Sequence, residues 1–422
     1  MDSGKQGLTR DYVRELLGGR DPEEVAEQLL PHGGDAPRSF WPSASTDPSR
    51  VERLWKRLGA TSNPALWDSW TQANAGAFAG NIENFIGTTK IPTGIAGPLR
   101  VNGLHAQGEY PIPLATSEAA LVASYHRGIC LLNAAGGCSA MVVYESVARA
   151  PAFLFDTIGD AGRFLVWVTE QLEALKRVAG TTTSHGELRD VAVTVEGNHV
   201  YLSLEFFTGD ASGQNMVTIA AEAVCAFIDQ ESPVPIRAMY VEGNLSGDKK
   251  ASAKAFTDTR GKKVTAEAVL PSALVEKFLH CSAQAMTEYW RVSAVGGVLS
   301  GTLGVQGHFA NGLAAFYLAT GQDVACVAES AVGVTRFELT EGGDLYASVT
   351  LPALMIGSVG GGTGLPSQRA ALELLGLSGT GKARALAEVC CGTLLGGELS
   401  IIGALAAGEF TRAHQKLARK HS

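Results

Sequence analysis

The spacing of apolar and polar positions divides the chain into helical and strand-like stretches. TRDYVRELLGG, DPEEVAEQLL and SRVERLWKRLG carry apolar residues at helical spacing, joined by Pro, Gly and Ser, and predict a small helical domain over residues 1–82. SAMVVYESVA reads as a strand, and PAFLFDTIGDAGRFLVWVTEQLEALKRVAG as one long amphipathic helix stopped at Gly180. DVAVTVEGNHVYLSLEFF predicts a hairpin turning at Glu196, Gly197 and Asn198. QNMVTIAAEAVCAFIDQ follows as a second helix and IRAMYVEG as a last strand. This β-α-β-β-α-β order is the ferredoxin-like pattern. It predicts a compact domain over residues 149–241, inserted into a larger helix-rich one made of residues 83–148 and 242–422. The expected fold class is therefore α+β. Within the larger domain, Ser272 is the expected N-cap of a helix over ALVEKFLHCSAQAMTEYW. TRFELTEGGDLYASVTL predicts a strand pair turning at Glu341, Gly342 and Gly343, and a final helix runs from Lys382 to Leu405.

Two acids interrupt uncharged stretches. Residues 292–322 contain no Asp, Glu, Lys or Arg, and Asp323 ends the run. Glu118 is the only formally charged group from Tyr110 to His126. A carboxylate in apolar company loses hydration, and its pKa is free to move into the range useful for proton transfer. The run after Arg291 exceeds the length a bilayer needs. Its seven glycines and central Gln306, His308 and Asn311 argue against a lipid-facing helix. A glycine-loosened segment leading into a buried helix from about Gly307 to Thr320 is expected instead.

Bulk composition narrows the function classes. At 422 residues the chain predicts two or three domains. Hydrophobic residues make up 45% and charged residues 18%, as in a well-buried globular protein. A net charge of −8 gives no global attraction for nucleic acid or anionic membrane, so neither is an expected partner. Seven cysteines without CxxC spacing suit reduced thiols in a cytoplasmic protein, with no metal site and no disulfide framework. The N-terminus lacks the basic start and apolar core of a signal peptide.

Several segments carry candidate chemistry. EGNLSGDKKASAKAF places Asp248, Lys249 and Lys250 in a Gly- and Ser-rich loop, where adjacent lysines repel and one can lose its proton more readily unless an acid compensates. An acid–lysine–acid cluster with the isolated carboxylates could hold an ammonium over a carbonyl oxygen. GLSGTGKA (residues 376–383) has phosphate-loop spacing, but Ala383 stands where magnesium needs a hydroxyl, and a helix-like LELLGL precedes it. VGGGTG around Gly360 lacks dinucleotide-fold spacing. TGDASGQN opens a helix, and its amides could receive a phosphate. His414 lies in a basic tail with Arg412, Lys416, Arg419 and Lys420, a strip that could meet cofactor phosphates.

Taken in order, ENFIGTTKIPTGIAGPLRVNG, PLATSEAALVAS, GDASGQN, GNLSGDKK, TRGKKVTAEAVLP, HFANGLAAFYLATGQD, DLYASVTLPALMIGSVGGGTGLP and GTLLGGELSIIGALAAGEFTRAH resemble the 3-hydroxy-3-methylglutaryl-CoA reductase family, class I type. The class II pattern is not matched at the Asp-Lys-Lys loop. The resemblance implies reduction of that acyl-CoA to mevalonate and free CoA by two successive hydride transfers from NADPH. It implies catalytic roles for Glu118, Lys249, Asp323 and His414. Arg149, Asn244, Asp248, Lys250 and Asn311 map to the acyl end, and Ser124 and Arg127 to the CoA. Ser184, His185, Asp210, Gly213, Asn215 and Met216 map to the dinucleotide in the inserted domain. A homodimer or homotetramer with shared sites is also implied. Three positions depart from the family pattern. Glu242 stands where a Ser is usual and Arg291 where a Lys is usual, and the two are candidates to pair. Together they raise the alternative of a different acyl-CoA. His185 replaces an Arg, which leaves NADH open beside NADPH.

Overall fold

The computed structural model describes residues 11–15, 17–31, 33–34 and 42–408. Near its start lie α1 (Pro22–Leu29), α2 (Pro48–Arg57) and α3 (Ser69–Ala73). Asp21, Asp47 and Asp68 precede them, and each side chain accepts first-turn N–H groups. Pro22 and Pro48 sit where a missing N–H costs nothing. Val51 and Trp55 of α2 pack with Trp67, Phe78 and Phe85 into a small core of their own.

The chain then forms β1 (Thr93–Gly103), β2 (Gln107–Ala115), α4 (Leu121–Ala134), β3 (Cys138–Arg149) and β4 (Ala152–Leu154). Next come α5 (Ile158–Thr169), α6 (Leu172–Gly180), β5 (Glu187–Glu196), β6 (His199–Phe207), α7 (Gln214–Glu231) and β7 (Ala238–Tyr240). β7, β4, β6 and β5 are neighbours in that order, every pair antiparallel. With β3 and β4 counted as one interrupted first strand, this is the ferredoxin-like arrangement. Phe153, Phe155 and Phe164 cluster beneath it, with centroids 4.9 to 5.2 Å apart.

The long helix expected from Pro151 begins later than its pattern suggests. Ala152, Phe153 and Leu154 pair on one edge with β6 and on the other with β7; Ala152 and Phe153, on opposite faces, are both buried, and burial of both faces erases the alternation that marks a strand. Helix starts only behind Thr157, whose hydroxyl accepts the Asp160 N–H, and it breaks again between Thr169 and Leu172.

The remaining elements are β8 (Gly261–Leu270), α8 (Ser272–Leu279), α9 (Ala283–Ser300), β9 (Gly304–Val305), α10 (Phe309–Thr320), α11 (Val327–Ser330), β10 (Gly333–Leu339), β11 (Leu345–Leu354), α12 (Pro366–Leu374) and α13 (Ala383–Ala406). The larger sheet runs β3, β8, β11, β10, β9, and β1 joins β3 from the hairpin with β2. β3 belongs to both sheets. Its first part pairs with β8, and residues 147–149 continue onto β6.

Two helices replace the single one expected after Ser272. Ser272 is itself helical, and its N–H goes to the Asp344 carboxylate at 3.0 Å rather than to a cap. His280 turns left-handed (φ 58°) and ends α8, and the Ser282 hydroxyl then caps α9. α9 continues through the glycine-rich stretch to Ser300, and α10 starts at Phe309, close to the expected position.

Apart from Arg384, Glu388 and Glu398, α13 is apolar on every face, and it is nearly sealed, as a helix in the middle of a core must be. Among the described residues it is the one helix long and apolar enough to cross a membrane, and 83% of its most apolar window is buried inside the protein. It crosses α4 at Gly128 and Gly396, where a Cβ added to Gly128 would lie 1.8 Å from the Gly396 carbonyl oxygen. Only paired glycines permit that approach.

Candidate active site

The loop after β7 sets the first part of the site. Asn244, Gly247 and Lys249 all take positive φ (65°, 73° and 55°), a backbone conformation that costs energy at the two non-glycine positions. The loop is held by a buried ionic network. Arg149, at the end of β3, donates to Asp248 Oδ2 at 2.9 Å, and Arg260 donates to Asp248 Oδ1 at 2.6 Å. Arg260 also reaches both oxygens of Glu329 at 2.9 Å. Glu329 in turn accepts the Lys249 N–H at 3.4 Å. Burial pushes the Glu329 carboxyl up despite the pull of Arg260.

With its backbone so fixed, Lys249 places its Nζ 2.8 Å from Asp323 Oδ2. Asp323 follows α10, and its other oxygen accepts the Ala325 N–H at 3.0 Å. The hydrogen bond it donates to the Asp323 carboxylate raises Lys249 above the ordinary lysine value. Partial burial works upward on Asp323, but the Lys249 and Ala325 hydrogen bonds outweigh it and hold the carboxyl below its usual range. Lys250 turns aside and donates to the Asp248 carbonyl at 2.9 Å.

Lys249 and Asp323 line a cavity of about 510 Å³ whose opposite wall is residues 211–216, at the start of α7. Gly213 there has φ 74°, and α7 has no side-chain cap, so its first amides are unclaimed by side chains. The glycine loop at residues 360–362 forms a further side. Asn215 is exposed, and Met216 accepts the Thr183 hydroxyl at 3.1 Å on its sulfur. Ser184 and His185 are exposed beside this turn, and the His185 N–H goes to Thr183 Oγ1 at 3.1 Å. The Asp210 carboxylate accepts the N–H groups of Gly381 and Ala383, at the start of α13, and is thus engaged within the protein.

Glu118 belongs to a second cavity of about 400 Å³, which shares no lining residue with the first. Asn311 donates to Glu118 Oε1 at 3.3 Å. Ser124 and Arg127 line the same space and are tied to α13 through Ser400, by contacts of 2.9 and 3.1 Å to its hydroxyl. One chain therefore brings Lys249 to Asp323 and Glu118 to Asn311, but in two separate cavities. His414 lies outside the described residues.

Two expectations change here. Glu118 and Asp323 are both exposed in the single chain, so the uncharged sequence around them marks apolar neighbours and not a dry setting for the acids themselves. Glu242 pairs with Arg149, at 3.4 Å, and not with Arg291, which sits exposed on α9. Glu242 also accepts the N–H groups of Ala150 and Asn244, at 3.3 and 2.7 Å. Its charge is thus compensated from within.

Other groups of the site had no separate mark in the sequence. Arg260 and Glu329 complete the network under Asp248, and Gln214 donates to Asp323 at 3.4 Å. Glu398, fully buried on α13, accepts from the backbone of Gly307 and His308 and from Thr335, at 2.7 to 2.8 Å, and faces His308 Nδ1 at 3.1 Å. It anchors the turn that leads into Asn311.

A ferredoxin-like domain set into a helix-wrapped sheet, with a lysine–carboxylate pair facing the small domain's helix N-terminus, defines a two-domain enzyme class. A family model described as hydroxymethylglutaryl-coenzyme A reductase matches residues 52–419, and the chain belongs to that family. It is 46% identical over 347 residues to the 3-hydroxy-3-methylglutaryl-coenzyme A reductase of Pyrococcus horikoshii, covering 80% of this chain and 84% of the relative. It is 43% identical over 344 residues to that of Methanocaldococcus jannaschii, covering 80% and 85%. The fold is similar to that of the class II enzyme from Streptococcus pneumoniae, solved bound to NADPH in open conformations. That likeness has a TM-score of 0.64 at 20% identity, over 85% of this chain and 96% of the other.

Proposed function

We propose that the protein reduces 3-hydroxy-3-methylglutaryl-CoA to mevalonate and free CoA. The observation that carries the proposal is family membership along residues 52–419 combined with the Lys249–Asp323 pair facing the start of α7. The dinucleotide fits the cavity between those groups: the α7 amides lack side-chain caps and suit a phosphate. Bound there, NADPH supplies two hydrides.

Lys249, kept protonated by Asp323, stabilises the oxyanion that forms on the carbonyl in each reduction. When the first adduct collapses to an aldehyde, the CoA thiolate leaves, and His414 protonates it so that it does not add back. Glu118, positioned by Asn311, delivers the proton to the alkoxide formed from the aldehyde. Arg149, Asn244, Asp248 and Lys250 shape the acyl end, while Ser124 and Arg127 meet the CoA.

Because Glu118 and Lys249 line different cavities within one chain, the complete set forms between copies, as a homodimer or homotetramer. The Asp-Lys-Lys loop supports the class I type, seven cysteines without CxxC spacing support a cytoplasmic location, and the division at residues 82, 148 and 241 belongs to the same proposal.

The test is nicotinamide oxidation by the purified protein with 3-hydroxy-3-methylglutaryl-CoA and, in parallel, simple acyl-CoAs. Turnover of the former is expected. Its absence with both NADPH and NADH would overturn the proposal.

A further inference from the structure

Asp210 fastens the small domain to the large one. Its Oδ2 accepts the Gly381 N–H at 2.7 Å and its Oδ1 the Ala383 N–H at 3.1 Å. Its carbonyl accepts the Ser358 N–H at 2.8 Å, and the neighbouring Ala211 bridges to Val359. Backbones are so close here that a Cβ on Gly357 would lie 2.6 Å from the Ser212 nitrogen. Gly381 and Ala383 end the phosphate-loop lookalike GLSGTGKA, and the anion their amides hold is the protein's own carboxylate. Lys262 and Arg384, both paired with Glu145, lie near enough to feel its charge.

We propose that Asp210 is a positioning residue, a latch that holds the turn at residues 211–216 against α13 and so fixes the two walls of the Lys249 cavity. The inference rests on the reductase reading. One wall of that cavity is the turn itself, and the other is residues 321–323 and 357–363 of the large domain. The carboxylate spans from one wall to the base of the other, so the α7 amides and the Lys249 ammonium face each other at a set separation. The cavity that holds Glu118, Ser124 and Arg127 draws on no residue of the small domain. Losing the latch therefore acts first on the dinucleotide and spares the CoA end of the substrate.

The experiment compares the full-length wild type with D210N. It measures KM for NADPH, KM for 3-hydroxy-3-methylglutaryl-CoA, and hydrogen exchange at the Gly381 and Ala383 amides. Exchange is expected to quicken at one of the two amides at least, since the Asn oxygen can still accept a single N–H. KM for NADPH is expected to rise by about tenfold, the worth of a strong cap expressed as an equilibrium ratio, and by more than any change in KM for the acyl-CoA. A raised NADPH KM with both amides still protected means a direct contact to the dinucleotide and overturns the latch. Faster exchange with an unchanged NADPH KM reduces Asp210 to a structural cap and overturns it equally. If D210N does not fold, D210S, whose hydroxyl can still accept one N–H, is judged by the same measurements. An inactive wild type defeats the reductase reading, whereas an active one beside an unaffected D210N defeats the latch alone.

Discussion

Lys249 and Asp323 make a 2.8 Å ion pair although their side chains remain 42% and 39% exposed. At that exposure solvent screens most of the Coulombic gain, and the pair adds little to stability. What it does is fix where an ammonium sits and which proton state it holds. The left-handed backbone at Lys249 has the same meaning, since strain of this kind persists where the surroundings over-determine a geometry.

Replacing Lys249 with Ala should therefore cost activity without cost to the fold. We predict a fall in kcat of at least about a hundredfold, the usual loss on removing one oxyanion donor. Thermal denaturation should be close to wild type. A variant with a near-normal rate would remove Lys249 from the chemistry.

Asp323 controls the proton on Lys249. The Asp323 hydrogen bond raises the lysine, so the wild-type ammonium survives beyond the ordinary lysine range. In D323N that support is gone, and Lys249 releases its proton at lower pH. The alkaline limb of the kcat/KM profile should move toward neutrality, which a pH–rate series on both proteins would detect. An unmoved limb would mean that another group sets it.

The network beneath the loop is asymmetric. Arg260 serves both Asp248 and Glu329, and the Arg260 and Glu329 side chains are each 3% exposed. Arg260→Met leaves Glu329 without its cation and Asp248 with Arg149 alone, and should cost about 3–5 kcal/mol, as for other broken buried pairs. Glu329→Gln should cost less, because burial already favours the uncharged carboxyl. The folded value of Glu329 lies above its unfolded one. Its contribution is therefore full below the unfolded carboxylate range and is lost as pH rises through the folded value. The deficit of Glu329→Gln relative to wild type should accordingly be larger in acid than at neutral pH. Urea denaturation of the two variants at both pH values decides this, and equal losses for Arg260→Met and Glu329→Gln would contradict it.

Gly128 should tolerate no side chain. A methyl group there meets the Gly396 carbonyl, so Gly128→Ala must push α4 from α13 at a cost of roughly 1–3 kcal/mol or more. A melting temperature equal to wild type would show that the crossing has slack.

Much of this architecture was visible in the pattern of residues, and the failures share a cause. Hairpins and amphipathic helices declare themselves because one face is wet: the turn at Gly197 and the start of α10 fall where periodicity puts them. β4 is hidden because it is three residues long and both of its faces are buried. The rule that a lone acid in an apolar run is buried was sound, but Glu118 and Asp323 were the wrong places for it. Glu398 is the only charged residue from Val389 to Gly408, it is completely enclosed, and four donors surround it. The run before Asp323 feeds the core only through α10, while Val292, Val295, Val298 and Leu299 of α9 are exposed. Pairings between distant segments, such as Glu242 with Arg149, depend on how β3 meets the loop after β7, and no local spacing encodes that.

Because β3 serves two sheets, the smaller domain has no clean excision point. A fragment spanning only residues 149–241 would lose most of the strand that feeds its own sheet, and the remainder would keep a severed end beside β8. Dissection of the enzyme into halves must therefore carry residues 138–149 with the smaller half, and whatever tilts that segment turns both halves at once.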